Sequence, residues 1–400
     1  MTAAPRPMIV GVVGAGTMGA GIAQLALQAG HEVLLNDLDE AAIARGRDRI
    51  ASGLDRLVAK GRMDADEAGA ALVERLRDAH GLDTLAAEAD VVIEAALEDL
   101  DLKRTIFRAL DSAAPASTLL ATNTSALSVT EIASSTQRPE RVVGLHFFNP
   151  APVMALIEVV QGELTSAATM QAGLEFSGGL GKTAVTCRDA PGFIVNRVNR
   201  PFTLEALRMV DAGQATVESI DSAVEAAGYP MGPFRLMDLV GIDVNLAVAR
   251  ALHEAFDQAP RFRPSPRQEE LVAAGRLGRK TGSGFYRYGA DGPASGEANH
   301  PAGGRGPSGE PLAEADIVER IELAIINEAY HAIGEGVCSP EDADIALKLG
   351  AAHPHGPFER AGMLGLRTVV EALARLAASG EMDARERFTV APALWGMATF

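Results

Sequence analysis

Cysteine is nearly missing from this chain: Cys187 and Cys338 are the only two in 400 residues. A disulfide framework is therefore excluded, and a reducing compartment fits. Neither thiol lies in a CxxC pair or beside a compact histidine cluster, so no metal site is expected. Long apolar runs are missing as well. With no stretch near the roughly 20 residues that a bilayer span needs, no membrane partner is expected. The opening MTAAPRPMIVGVVGAG passes into a glycine-punctuated strand and lacks the pattern of a secretory signal, which points to the cytoplasm. Positive charge is in deficit: 36 Lys and Arg face 53 Asp and Glu, a net charge of -17. A general nucleic-acid surface is excluded on that ground. A small phosphorylated ligand is not, because backbone amides and a few basic groups can hold one locally.

What is present is an ordinary globular composition, 47% hydrophobic and 22% charged, in a chain long enough for two or three domains. MIVGVV, EVLLND, DVVIEA, TLLATNT and RVVGLHFF read as apolar strands separated by helical segments. That alternation predicts a parallel sheet covered on both faces, a Rossmann-type α/β doubly wound fold, over residues 1–189. From about residue 190 the pattern turns to helices alone, giving an all-α domain over 190–288. Residues 289–311, GADGPASGEANHPAGGRGPSGEP, have the composition of a flexible linker. A second helical domain is expected over 312–400. It repeats the first: with one inserted residue, Gly232, Pro233 and Phe234 fall on Gly356, Pro357 and Phe358, and Arg197 and Glu205 fall on Arg320 and Glu328. The repeat also bears on His353 and His355 in AHPHGPF. Two imidazoles leave zinc short of ligands, and the shared GPF reads as a turn between helices.

GAGTMG places Gly14, Gly16 and Gly19, with Thr17 and Met18 between the last two, between a strand and a helix. In that context GxGxxG is a dinucleotide-binding fingerprint: one glycine for the turn, one for approach of the pyrophosphate, one for helix packing. Asp37, at the end of EVLLND, stands where an acid accepts from the adenosine ribose. A carboxylate there repels the 2′-phosphate of NADP, so NAD is the expected cofactor.

His146, in GLHFFNP, sits at a strand end among apolar and aromatic neighbours. It is either a satisfied core residue or a base facing the ligand crevice at the carboxyl ends of the strands. Glu158, twelve residues on, could reach the imidazole and fix its tautomer. Ser125 could cap the helix starting near Ser128, Asn196 could be a surface polar residue, and Glu98 with Lys103 a solvated pair at a helix start.

Taken together, GAGTMGAGIA, VIEAALEDLDLK, ATNTSALS, GLHFFNPAPVMALIEVV, PGFIVNR, GYPMGPFRLMDLVGID and GRKTGSGFY resemble the L-3-hydroxyacyl-CoA dehydrogenase family, the short-chain 3-hydroxybutyryl-CoA enzymes included, from residue 8 to about 288. The resemblance implies an NAD-dependent (S)-3-hydroxyacyl-CoA dehydrogenase with helical domains of the 6-phosphogluconate-dehydrogenase C-terminal type. It implies that His146 is the general base, Glu158 its orienting partner, and Ser125 and Asn196 the contacts to the reacting oxygen or acyl thioester. It further places Glu98 and Lys103 at the nicotinamide side of the cofactor. An acyl group carried on acyl carrier protein, and an NAD-binding protein without turnover, stay open beside this reading. The second helical copy has Glu319 for Asn196 and no GRKTGSGFY ending. One active site per chain is expected, with residues 312–400 forming an intrachain pseudo-dimer with the first helical domain. Homo-oligomerisation is left open.

Overall fold

The computed structural model describes residues 7–289, 292–298 and 312–398. The chain divides into two compact units, Met1–Phe193 and Ile194–Phe400.

In the first unit the elements run β1 (Ile9–Val13), α1 (Thr17–Gln28), β2 (Glu32–Asn36), α2 (Glu40–Ala59), α3 (Ala65–Ala70), β3 (Leu76–Asp78), α4 (Leu82–Glu88), β4 (Val91–Glu94) and α5 (Leu100–Ala113). They continue β5 (Leu119–Thr122), α6 (Val129–Ala133), β6 (Val142–Phe147), β7 (Leu156–Gln161), α7 (Ala167–Gly179) and β8 (Thr183–Arg188). One eight-stranded sheet has the order β3-β2-β1-β4-β5-β6-β7-β8. Its apolar strand residues, Val10, Val12, Val33, Leu35 and Ile93 among them, are 0% exposed and pack with Ile22 and Leu27 of α1. The order reverses between β1 and β4, the switch point at which such sheets open a ligand crevice.

The sheet is not wholly parallel as the strand pattern predicts: β6 and β7 are antiparallel. The connection between them, residues 148–155, is too short for a helical crossover, which needs a dozen residues or so, and the chain must therefore turn straight back. Three strands escape an apolar-run reading for separate reasons. β3 is an edge strand of three residues with only Leu76 buried, β8 is an edge strand with alternating exposure, and β7 carries a carboxylate, Glu158, in the middle of its buried run.

The second unit contains α8 (Val195–Val198), α9 (Arg200–Asp211), α10 (Val217–Ala226), α11 (Pro233–Val240), α12 (Ile242–Ala255) and α13 (Pro266–Ala273), then β9 (Tyr286–Gly289) paired antiparallel with β10 (Gly292–Ala298). After it come α14 (Glu314–Gly334), α15 (Pro340–Gly350), α16 (Pro357–Leu364), α17 (Leu366–Ala377), α18 (Ala384–Arg387) and α19 (Pro392–Ala398). Of the glycine- and proline-rich stretch 289–311, Gly292–Ala298 is this β10, while 290, 291 and 299–311 lie outside the described residues. α14 buries Ile317, Ile321, Leu323, Ile325 and Ile326 at 1–2% exposure, and with them the polar side chains of Arg320, Asn327 and Glu328.

The repeat is built twice with the same local devices. Asp221 accepts from Phe234 N and Arg235 N at the start of α11, at 2.9 and 3.1 Å. Asp344 does the same for Phe358 N and Glu359 N at the start of α16, at 2.7 and 3.1 Å. The copies part where Asp238 accepts from Phe285 N, Tyr286 N and the Tyr288 hydroxyl, tying down the GRKTGSGFY segment. Gly362 stands at the matching place in the second copy, which has no such segment to hold.

The copies pack on each other with a two-fold pattern. Arg197 Nε donates to Glu328 at 2.7 Å, and its counterpart Arg320 donates to Glu205, the counterpart of Glu328, at 2.9 Å. Each acid receives a second guanidinium, Arg261 on Glu328 and Arg387 on Glu205. This reciprocity is the signature of an isologous interface, here within one chain. At its centre Tyr229 and His353 meet edge to face at 5.0 Å, both against Phe202. His353 Nε2 lies 2.8 Å from Asn199 Oδ1, while His355 is exposed.

Burial pushes the His353 imidazole down to about 3. The unfolded chain, with an ordinary imidazole near 6.5, then binds the extra proton between those values. Stability therefore falls as pH drops from 6.5 toward 3, by up to about 1.4 kcal/mol per pH unit. His353→Tyr, which installs the residue of the first copy, is expected to flatten that slope in urea titrations. An unchanged slope would refute the assignment.

Candidate active site

The glycine loop joins β1 to α1. Gly14 has φ +99, and a Cβ there would stand 2.6 Å from Ala95 O. A Cβ on Gly19 would stand 1.7 Å from Gly14 O, whereas around Gly16 nothing lies within 4 Å. The helix that follows, beginning at Thr17 and Met18, has no side-chain cap and no acid in its first turn, so its amides and positive dipole end meet only the open loop. Those features fit a pyrophosphate. Asp37 closes the other side: its carboxylate accepts from Ala15 N and Leu38 N, each at 2.6 Å, which holds it beside the loop.

The two outer glycines are steric and the middle one is vacant space, and they should fail differently. Gly19→Ala is expected to cost about 1–3 kcal/mol of stability through overpacking. Gly16→Ala should leave the free protein within about 0.5 kcal/mol yet weaken NADH binding roughly tenfold or more. Thermal melts and NADH fluorescence titrations read the two effects, and equal melting losses in both variants would contradict this division.

At the carboxyl ends of β4 and β5 a second cluster forms. Lys103, 1% exposed, donates to Glu94 at 2.7 Å and lies 3.3 Å from Glu98. Glu94 also accepts from Ala96 N and the Thr122 hydroxyl. Glu98 accepts from the Thr124 hydroxyl at 2.6 Å and from the amides of Ser125 and Ala126 at 2.9 and 3.2 Å. Burial alone would raise the Glu98 carboxyl, but Lys103 and the hydrogen bonds from Thr124 and Ser125 outweigh it and hold the group below the usual carboxylate range. Lys103 is thus buried rather than solvated while Glu98 keeps 38% of its side chain exposed, and Ser125 is no helix cap, since Ser128 caps α6.

The third cluster is the His146 and Glu158 pair. The antiparallel return places them directly opposite on β6 and β7, with His146 Nδ1 2.6 Å from Glu158 Oε2. Glu158 is fully buried and His146 is 6% exposed, flanked by Phe148 and Phe193 at 4.6 and 5.7 Å between ring centres. A carboxylate only accepts, so Nδ1 carries the proton and Nε2 is left with its lone pair. Two positioning groups were not evident from the sequence. Asn123 accepts from Phe147 N at 2.9 Å, and Lys182, its ammonium lowered by burial, donates to Ala151 O and Met154 O in the β6 to β7 connection. The ATNTSAL stretch was a signal for the first; nothing local marks the second.

The first unit thus assembles the loop with Asp37, the Glu98 group with Ser125, and the histidine pair. Asn196 belongs to the second unit, at the second position of α8. Its counterpart Glu319 is a surface residue of α14 facing Arg375 at 3.8 Å. Among the described residues no group of three or more His, Cys, Asp or Glu could hold a metal ion, and no helix is long and apolar enough to cross a membrane.

A doubly wound sheet with this glycine loop, a trailing aspartate and a carboxylate-bound imidazole defines a nicotinamide-dependent oxidoreductase. Residues 9–190 match the 3-hydroxyacyl-CoA dehydrogenase NAD-binding domain, and 192–288 and again 317–398 match the C-terminal domain of the same family. The chain belongs to the 3-hydroxyacyl-CoA dehydrogenase family, and its cofactor is NAD. It is 37% identical to 3-hydroxyadipyl-CoA dehydrogenase of Escherichia coli (strain K12) across 92% of this chain and 93% of that one. It is 44% identical to the mitochondrial hydroxyacyl-coenzyme A dehydrogenase of Sus scrofa, over 70% of this chain and 90% of the relative. The crystal structure of 3-hydroxybutyryl-CoA dehydrogenase from Escherichia coli K12 superposes with a TM-score of 0.89 at 36% identity, covering 99% of both chains.

Proposed function

We propose that this chain interconverts (S)-3-hydroxyacyl-CoA and 3-oxoacyl-CoA with His146 as the general base. The observation that carries this is the 2.6 Å contact between His146 Nδ1 and Glu158, which leaves Nε2 to take the proton of the 3-hydroxyl. As that proton arrives the ring becomes an imidazolium, and the buried Glu158 stabilises it. Ser125 and Asn196 hold the reacting oxygen or the thioester. NAD, when bound, supplies the hydride acceptor. Gly14, Gly16, Thr17, Met18 and Gly19 cradle its pyrophosphate, Asp37 takes the adenosine ribose, and Glu98 faces the nicotinamide side. Lys103, enclosed between Glu94 and Glu98, keeps Glu98 ionised and in place.

The names of similar proteins differ in the acyl group, one dicarboxylic and one of four carbons. The family likeness therefore leaves the acyl group of this chain open. The test is NADH oxidation with acetoacetyl-CoA. Turnover supports the reading. NADH binding without turnover of acetoacetyl-CoA rejects it, and activity confined to a substrate on acyl carrier protein moves it to that carrier.

A further inference from the structure

Four arginines of the helical unit are buried: Arg197, Arg200, Arg320 and Arg387, at 0%, 7%, 3% and 6% exposure. Three are neutralised. Arg197 is paired with Glu328 and Glu335, and Arg320 and Arg387 are each paired with Glu205 and Glu381. Arg200 has no such partner among the described residues. Its Nε and Nη1 are buried without an acceptor, and burial, with no acid to offset it, pushes the guanidinium down to about 10. An uncompensated buried cation is among the costlier features a fold can keep. Scarcity of carboxylates does not explain it in a chain with 53 of them.

The helix geometry says which way this cation faces. Asn199 joins α8 to α9 in right-handed helical conformation, so Asn196 and Arg200 are one turn apart and about 40° apart around the axis. Helical side chains lean toward the N-terminus, which brings Arg200 back over the Asn196 turn. Of the residues that meet the second helical copy, Glu205, Phe202 and Asn199 lie about 140°, 160° and 100° from Arg200 around the axis. Arg197 lies about 60° away on the side opposite Asn196, which is the nearer of the two. Arg200 therefore shares the face of the residue assigned to the substrate.

We propose that Arg200 is a specificity-determining residue that binds the terminal carboxylate of a dicarboxylic 3-hydroxyacyl-CoA. This rests on the assignment of Asn196 to the acyl group made above. Side chains one turn apart start roughly 5–6 Å from each other, the scale that separates a reacting carbon from a carboxylate a few carbons down the chain. A compact carboxylate can take two parallel N–H bonds from a guanidinium. The bulkier and more hydrated phosphates of CoA suit a group 7% exposed far less well.

The test compares kcat/KM for (S)-3-hydroxyadipyl-CoA and (S)-3-hydroxyhexanoyl-CoA, equal in length and different at the terminal carbon. Wild type is expected to favour the adipyl substrate about 30-fold or more. Arg200→Met should bring the ratio to one or below, and Arg200→Lys should keep part of it. Should Arg200→Met fail to fold, adipyl-CoA and hexanoyl-CoA, which lack the hydroxyl, are compared as stabilisers of the wild-type protein in thermal melts. A larger shift with adipyl-CoA supports the proposal. A wild-type preference for hexanoyl, equal thermal shifts, or equal losses on both substrates in Arg200→Met would overturn it, the last because CoA is common to both. Failure of wild type to turn over either compound or acetoacetyl-CoA instead defeats the underlying activity.

Discussion

Replacing His146 by alanine is expected to lower kcat for acetoacetyl-CoA reduction by about 10²–10⁴-fold, the contribution of one well-placed general acid or base. The affinity for NADH should hold, because the glycine loop and Asp37 lie at β1 and β2 and His146 at β6. Glu158→Gln is the sharper companion. Glutamine keeps the volume and an acceptor oxygen opposite Nδ1 but removes the charge that stabilises the imidazolium, so it should act on kcat more than on KM. Because it removes the charge beside the ring that takes up the proton, it should also change how kcat depends on pH, which a merely structural role would leave in place. Stopped-flow and steady-state rates across pH distinguish these cases. Full activity in His146→Ala would remove the base from this site and the proposed mechanism with it.

Glu205→Gln is expected to destabilise the helical unit by about 3–5 kcal/mol, the usual cost of breaking a buried ion pair by removing one partner. Glu205 is 2% exposed and meets Arg208, Arg320 and Arg387. Burial would raise its carboxyl, but those three guanidinium groups outweigh it and hold the group far below the carboxylate range. The folded state therefore binds this proton less readily than the unfolded chain. The stability it supplies is present above the ordinary value near 4.5 and is lost as pH falls from there toward the depressed one. That window overlaps the one set by His353 only below about 4.5, so between 6.5 and 4.5 the histidine contribution is read without that of Glu205. Trp395, the single tryptophan, sits in α19 and reports on this unit alone. Its emission during urea unfolding is the measurement. Glu269→Gln, which removes an exposed pair with Arg250, is the control and should cost no more than about 0.5 kcal/mol. Equal losses in the two variants would show that the reciprocal ion pairs do not hold the copies together.

The sequence by itself carried what depends on neighbours along the chain. Gly14, Gly16 and Gly19 at fixed spacing, Asp37 at the end of the next strand, and the paired GPF stretches, which the structure places at the starts of α11 and α16 rather than in a turn, follow from local rules of backbone freedom and period, and a one-dimensional string preserves those. It also aligned Arg197 with Arg320 and Glu205 with Glu328, but alignment places equivalent residues and does not show that each pairs across to the other copy, 131 and 115 residues away. Glu158 stands twelve residues after His146 in any reading, yet they face each other only because a short connection turns β7 back antiparallel. Lys103 looked like a surface charge beside a helix start until the fold enclosed it between Glu94 and Glu98. Arg200, one arginine among many in the string, became distinctive only when the fold buried it without a carboxylate. Burial and charge compensation are sums over everything within a few ångströms, and chain folding, not chain order, decides what those neighbours are.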